Sequence, residues 1–287
     1  MLSAVKKLWV ISRPISWLNT AYPFAAGYIV SGGRIDLLFI IGTLYFLGPY
    51  NLLLYGVNDV FDYESDIRNP RKGGIEGAVT AKSFHKTILL TALFGNLPFI
   101  VALLLLGSPL SWLTLLVVLF FVVAYSLAKL RFKERPVLDS ITSSMHFVGP
   151  LIYALTLTHL SFQSLPFIFA FFLWGMASHA FGAVQDIIPD RKAKLASIAT
   201  ILGAKKTIWF SLMLYILAIV ITAIQSPLAV VVALASVMYP LNVARYISIS
   251  DASSGESRVG WRRFIWLNFF VGFVVTIILI LQTVIHS

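Results

Sequence analysis

Asn58-Asp59-Val60-Phe61-Asp62-Tyr63-Glu64-Ser65-Asp66 closes an apolar run of the length expected for a membrane helix. Asp59, Asp62 and Asp66 are spaced i, i+3, i+7, so a helix presents their carboxylates on one face. Three like charges on one face repel unless a doubly positive ion sits among them, and hard cations such as Mg²⁺ take carboxylate oxygens. A second acidic pair, Asp186 and Asp190, ends another apolar run, with Gln185 before it as Asn58 stands before Asp59. The chain reads as built to bring the two clusters together.

The rest of the composition sets the solvent. Of 287 residues 59% are hydrophobic and 12% charged, and the mean hydropathy is +0.87, far outside the range of soluble domains. The chain is predicted to be an all-α polytopic membrane protein. Met1 to Ser12 carries Lys6 and Lys7 without a short apolar core and cleavage site, so the first helix is expected to stay. There is no cysteine, which excludes disulfides, thiolate metal sites and cysteine nucleophiles.

A hydrocarbon core of about 30 Å requires roughly 20 apolar residues per helix. Nine stretches qualify: 14–32, 37–57, 85–107, 109–128, 138–159, 164–185, 206–225, 227–247 and 263–285. Ser31-Gly32-Gly33, Gly107-Ser108-Pro109 and Gln225-Ser226-Pro227 mark turns between them. No linker or low-complexity segment divides the chain, so residues 1–287 are expected to form a single domain.

Positive residues in short loops stay cytoplasmic. On the nine-helix count every one of the 22 lysines and arginines except Arg34 falls on one side, and every acid except Asp36 falls with them. The chain is accordingly expected in the cell membrane with a cytoplasmic N-terminus, an outside C-terminus and both Asp clusters on the inner face. The net charge of +10 serves topology and contact with anionic membrane lipid; no nucleic acid partner is expected. Several of the cations are interleaved with the acids, an arrangement suited to a polyanion.

Carboxylates beside Arg and Lys at a membrane face suit a diphosphate chelated by Mg²⁺: carboxylates hold the metal, the metal bridges phosphate oxygens, and cations neutralise the remainder. A diphosphate on an isoprenoid chain explains why such a site needs membrane helices. Ionising an allylic diphosphate leaves a carbocation that must be kept from water and can be met by aromatic faces. The 22 Phe, 11 Tyr and 7 Trp supply them, although most serve packing or face lipid.

Asn58-Asp59-x-x-Asp62-x-x-x-Asp66 with Asp186-x-x-x-Asp190 resembles the paired signatures of the UbiA superfamily of intramembrane prenyltransferases, and Tyr125-Ser-Leu-Ala-Lys129 is similar to its Tyr-x-x-x-Lys element. A narrower resemblance, to lycopene elongases of C50 carotenoid synthesis, rests on residues 12–24, 55–74, 130–136 and 172–178. These resemblances imply a UbiA-type bundle of nine transmembrane helices. Asp59, Asp62 and Asp66 would hold one Mg²⁺ and Asp186 and Asp190 a second, with catalysis depending on all five, and Asn58 would add an amide ligand or hold Asp59. Arg68, Lys72, Lys129 and Arg191 would be phosphate cations, and Tyr125 would hydrogen-bond a phosphate oxygen. Pro189 lies inside the second motif, where it is expected to distort the helix and puts the shared face of Asp186 and Asp190 in question.

Polar residues inside membrane helices face a cavity or a partner helix. His179 precedes Asp186 by seven, His146 follows Asp139 by seven, and Asn51 precedes Asn58 by seven. Asn51, Tyr55, His146 and His179 are therefore candidates for a cavity lining, with interhelical hydrogen bonding as the plainer role and proton acceptance from a carbocation as the sharper one for the histidines. Asn19, Asn96, Asn242 and Asn268 read as helix-packing residues.

The implied reaction is transfer of dimethylallyl groups from dimethylallyl diphosphate to both ends of lycopene, C40 to C50, with a carotenoid cyclase as a candidate partner. Two alternatives stand beside it: a prenyltransferase acting on an aromatic acceptor in quinone or haem synthesis, and a transporter or carrier of a lipid diphosphate. A transporter places its acids near the midplane, whereas these lie at one face.

Overall fold

The structure, a computed structural model, describes residues 4–67 and 79–286, so Arg68 and Lys72 lie outside the described residues. All regular structure among these residues is helical, and it falls into two compact units. The first comprises Met1–Phe132 and His146–Leu160, the second Lys133–Met145 and Ser161–Ser287. The division falls inside one helix, where the sequence offers no linker.

In the first unit, α1 (Ala4–Ile11), α2 (Leu18–Val30), α3 (Leu37–Leu47), α4 (Pro49–Phe61), α5 (Tyr63–Asp66), α6 (His85–Leu106) and α7 (Pro109–Ser126) are joined by the second half of α8 (Leu138–Leu157). The stretch expected as one helix over 37–57 is broken at Gly48, because Pro49 has no N–H and its ring clashes with the carbonyl four residues back. The break leaves carbonyls to satisfy. Asn51 Nδ2 donates to Phe46 O (2.7 Å), Leu47 O (3.2 Å) and Thr20 Oγ1 (2.8 Å), and Asn96 Nδ2 donates to Pro49 O at 2.8 Å. Asn51 is fully buried, and its amide mends the helix break while joining α4 to α2 at Thr20. Phe24, Tyr45, Phe46, Tyr50 and Tyr153 form an aromatic core around this joint.

The second unit holds the first turns of α8 together with α9 (Leu165–Val184), α10 (Ile187–Lys192), α11 (Ile198–Leu202), α12 (Ala204–Ala223), α13 (Pro227–Ser236), α14 (Met238–Ala244) and α15 (Arg258–His286). The span expected over 227–247 is broken at Val237, three residues before Pro240. α9 packs along α12 through Ser211 Oγ, which donates to Ala177 O at 2.8 Å, and through the Ser178–Tyr215 hydroxyl pair at 2.9 Å. Asn242 Nδ2 donates to Gly260 O and Tyr239 OH to Asn268 Oδ1, both at 2.9 Å. Asn96, Asn242 and Asn268 thus join helices.

Seven helical stretches among the described residues are long and apolar enough to cross a bilayer: Leu37–Phe61, Lys82–Leu106, Pro109–Ser126, Phe162–Val184, Ala204–Ala223, Pro227–Ala244 and Ser254–Ile285. The other two stretches of the nine-helix reading are helical, but α2 has only 13 residues and α8 carries Asp139, Ser140, Thr142, Ser143, Ser144 and His146 in its first half. Exposed side chains such as Leu93, Phe94, Leu105, Leu113 and Leu116 find their solvent in lipid tails, where helices satisfy every backbone polar group internally.

Candidate active site

In the first unit the acidic motif lies across a helix end. α4 stops at Phe61, Asp62 adopts φ −97°, ψ 0°, and α5 restarts at Tyr63. The i to i−4 ladder nevertheless continues, with Asp62 N donating to Asn58 O and Asp66 N to Asp62 O, both at 2.9 Å. One-turn spacing therefore survives, and Asp59 and Asp66 are buried at 5% and 8% exposure.

Arg13 reaches this motif from the turn between α1 and α2. Its Nη2 donates to Asp59 Oδ1 at 2.8 Å, and its guanidinium lies over the Tyr55 ring, 4.3 Å from the centroid. The turn is fixed by Trp17 Nε1, which donates to Ser12 O at 2.9 Å, and by the edge-on Trp9–Trp17 contact at 4.6 Å. Arg13 itself sits at φ 52°, ψ 71°, in the left-handed region that side chains disfavour. Burial alone would lower its pKa, but the charges of Asp59, then Tyr55 and Asp66, outweigh burial and raise it above the ordinary value, so the guanidinium stays charged.

Among the described residues Asp59 Oδ2, like Arg13 Nε, is buried and has no hydrogen-bond partner. A buried carboxylate oxygen without a partner carries a desolvation cost, and a hard cation fits it. In the same motif Asp62 Oδ1 lies 3.7 Å from Arg131 Nη2, and Asn58 Oδ1 accepts from Ser126 Oγ at 3.0 Å. Lys129 faces outward. Tyr125 meets the His146 ring edge-on at 5.0 Å, and His146 is buried at 3% exposure with Nε2 3.4 Å from Phe121 O. Among the described residues no three His, Cys, Asp or Glu side chains form a ready metal cage.

In the second unit α9 ends at Val184 and α10 begins at Ile187. Pro189 therefore falls in the first turn of a new helix, where a missing N–H costs nothing. Asp190 N donates to Asp186 O at 2.8 Å, leaving the two acids one turn apart; the expected distortion appears instead as the break at Gln185. Gln185 Nε2 donates to Gly182 O at 3.0 Å. Arg191 is otherwise engaged: Nη1 donates to Asp251 Oδ2 at 2.6 Å and Nη2 to Thr200 O at 2.8 Å. Its guanidinium staples α10 to Thr200 in α11 and to Asp251 in the segment between α14 and α15. Asp251 Oδ1 also accepts from Ala204 N at 2.6 Å, and this amide, then Arg191, holds the Asp251 carboxyl below the usual range.

His179 does not pair with the acid of its own motif. Its Nε2 lies 3.6 Å from Oδ2 of Asp139, which is fully buried in the first turn of α8. Sequence reading missed this pair, together with Arg13 and Arg131. Each lies far along the chain from its acid or in a loop of several indistinguishable cations.

Helices long and apolar enough to cross a bilayer, with Asp59, Asp62 and Asp66 at the end of one and Asp186 and Asp190 at the end of another, define a polytopic membrane protein with acidic motifs at helix ends. The chain belongs to the UbiA prenyltransferase family, which residues 20–269 match, and it is an enzyme that transfers prenyl groups. It is 49% identical over 285 residues to a lycopene elongase/hydratase of Corynebacterium glutamicum, covering 98% of both chains. It is 47% identical to a C(50) β-cyclic carotenoid biosynthesis protein of Dietzia sp., over 96% of this chain and 65% of that one. Among solved structures, a UbiA homolog from Archaeoglobus fulgidus bound to DMAPP and Mg²⁺ superposes with a TM-score of 0.68 at 18% identity, covering 92% of this chain and 98% of that one.

Proposed function

We propose that the chain transfers dimethylallyl groups from dimethylallyl diphosphate to the ends of lycopene, taking C40 to C50. The acceptor is carried by one observation, the 49% identity over nearly full length to a lycopene elongase/hydratase. The chemistry is supported by Asp59, whose Oδ1 is tied to Arg13 while Oδ2 is buried without a partner.

On this reading Asn58, Asp59, Asp62 and Asp66, with Asp186 and Asp190, hold Mg²⁺ for the diphosphate. Bound Mg²⁺ would neutralise negative charge on the leaving diphosphate. Arg13 holds Asp59 in place at 2.8 Å, and Tyr55 flanks that guanidinium. Arg131 beside Asp62 adds positive charge, with Arg68, Lys72, Lys129 and Tyr125 as further diphosphate contacts. Fixed charges aimed at a leaving group lower the barrier to its departure. The allylic cation adds to the terminal double bond of the polyene, leaving a tertiary cation to be quenched. The distribution of lysines and arginines supports placement in the cell membrane with the N-terminus and acidic motifs cytoplasmic. A carotenoid cyclase remains the proposed consumer of the product.

The test is expression in a lycopene-accumulating host followed by pigment mass analysis. C45 and C50 pigments are expected from the wild type and none from Asp59→Asn or Asp186→Asn present at equal levels in the membrane. Unchanged C40 pigment with the wild type overturns the acceptor.

A further inference from the structure

We propose that His179, oriented by Asp139, is the base that ends the reaction; this rests on the prenyl-transfer reading above. Adding a dimethylallyl group to an alkene end leaves a tertiary cation, whose neighbouring C–H bonds lose a proton to a base placed beside them.

Asp139 is held rigidly. Oδ1 accepts from Ser140 N at 2.7 Å and Ser140 Oγ at 3.3 Å, and Oδ2 accepts from Ile198 N at 2.7 Å. Among the described residues, His179 is the one basic side chain within 4.0 Å of this carboxylate. At 3.6 Å Nε2 lies beyond hydrogen-bond distance of Oδ2, but the carboxylate's charge favours the tautomer with its proton on Nε2, which leaves the Nδ1 lone pair to act as the base. The His179 side chain is 17% exposed, whereas His146 is buried against Tyr125.

The seam between α8 and α9 sets this pair. Ser144 Oγ donates to Phe172 O at 2.7 Å. One turn before His179, a Cβ on Gly175 would meet Ser144 Oγ and come within 3.1 Å of Ser144 Cα. Only glycine lets α8 approach this closely. His179 stands seven residues before Asp186, about 10 Å along the helix axis. A diphosphate held at Asp186 would place a short prenyl group, and the carbon it has just alkylated, at roughly that distance into the apolar zone.

Two balanced endings follow. A C–H bond next to the cation breaks, its electron pair becomes the new C=C bond, and its proton passes to Nδ1. In the competing ending a water oxygen bonds to the cation and the surplus proton passes to further water, so only the first ending uses His179. There Asp139 stabilises the imidazolium as a positioning residue.

Membranes carrying wild type, His179→Gln or Asp139→Asn would be given dimethylallyl diphosphate and lycopene, and the end groups analysed by mass. In His179→Gln total C45 and C50 pigment is expected to fall, and the ratio of hydroxylated to dehydrated ends to shift by about tenfold or more, given the usual contribution of a general base. Asp139→Asn should move the ratio in the same direction, and it decides the matter if His179→Gln fails to reach the membrane. Ratios within about twofold of wild type in either variant that reaches the membrane overturn the assignment, because a structural role would lower yield without altering the partition. A wild type that makes no C45 or C50 pigment overturns the acceptor reading and this inference with it.

Discussion

Arg13 and Asp59, 46 residues apart, meet at 2.8 Å with side chains 16% and 2% exposed. The pair joins the strained turn before α2 to the end of α4 and leaves the second Asp59 oxygen without a partner. A backbone strain of about 1–3 kcal/mol at Arg13 is tolerated because the turn delivers a guanidinium to a buried acid.

Removing that guanidinium leaves Asp59 buried and uncompensated. Arg13→Gln is expected to destabilise the protein by about 3 kcal/mol, read as a lower midpoint of thermal unfolding in detergent. Arg13→Lys should recover only part, since an ammonium lacks the planar fork that both bonds Asp59 and stacks on Tyr55. Equal stability of all three proteins would remove the pair from the account.

Asp59→Asn tests the metal reading independently of turnover. Wild type with Mg²⁺ and a diphosphate at about 100 times the dissociation constant should gain roughly 2.7 kcal/mol, seen as a raised unfolding temperature. The variant should lose most of that gain while keeping its basal midpoint nearer the wild type than Arg13→Gln does. A full ligand-induced shift in the variant would contradict the assignment.

The Asp251 carboxyl is held below its ordinary range, so its contribution to stability is present above an unfolded value of about 3.9 and disappears as pH falls through the lower folded value. With the side chain 41% exposed, that contribution is below about 1 kcal/mol. Asp251→Asn should therefore be slightly less stable at neutral pH and show a flatter loss below about pH 4. Denaturation midpoints across that window measure it.

Gly175→Ala would force α8 and α9 apart at Ser144. A loss of about 1–3 kcal/mol is expected, with partial recovery when Ser144→Gly is added. A neutral Gly175→Ala would show that the seam is loosely packed.

Much of the fold follows from apolar runs long enough for a bilayer, because the solvent imposes one length on every crossing. The sequence placed helices in all nine stretches, but it read 37–57 and 227–247 as unbroken, and the structure interrupts them at Gly48 and Val237, beside Pro49 and Pro240. The acidic motifs were legible because Asp59, Asp62 and Asp66 repeat at a local helical spacing, and Pro189 proved compatible with its motif because a new helix starts just before it. What the sequence left open was each polar residue's partner. Asn51 could line a cavity or hydrogen-bond between helices, and the structure bonds its amide to Phe46 O, Leu47 O and Thr20 Oγ1. Spacing gave no partner for Arg13, Arg191 or His179. The tertiary structure sets Arg13 against Asp59, Arg191 against Asp251 and Thr200, and His179 near Asp139. Helical period fixes which residues share a face, but the partner of a buried charge is set by whichever distant segment packs against it.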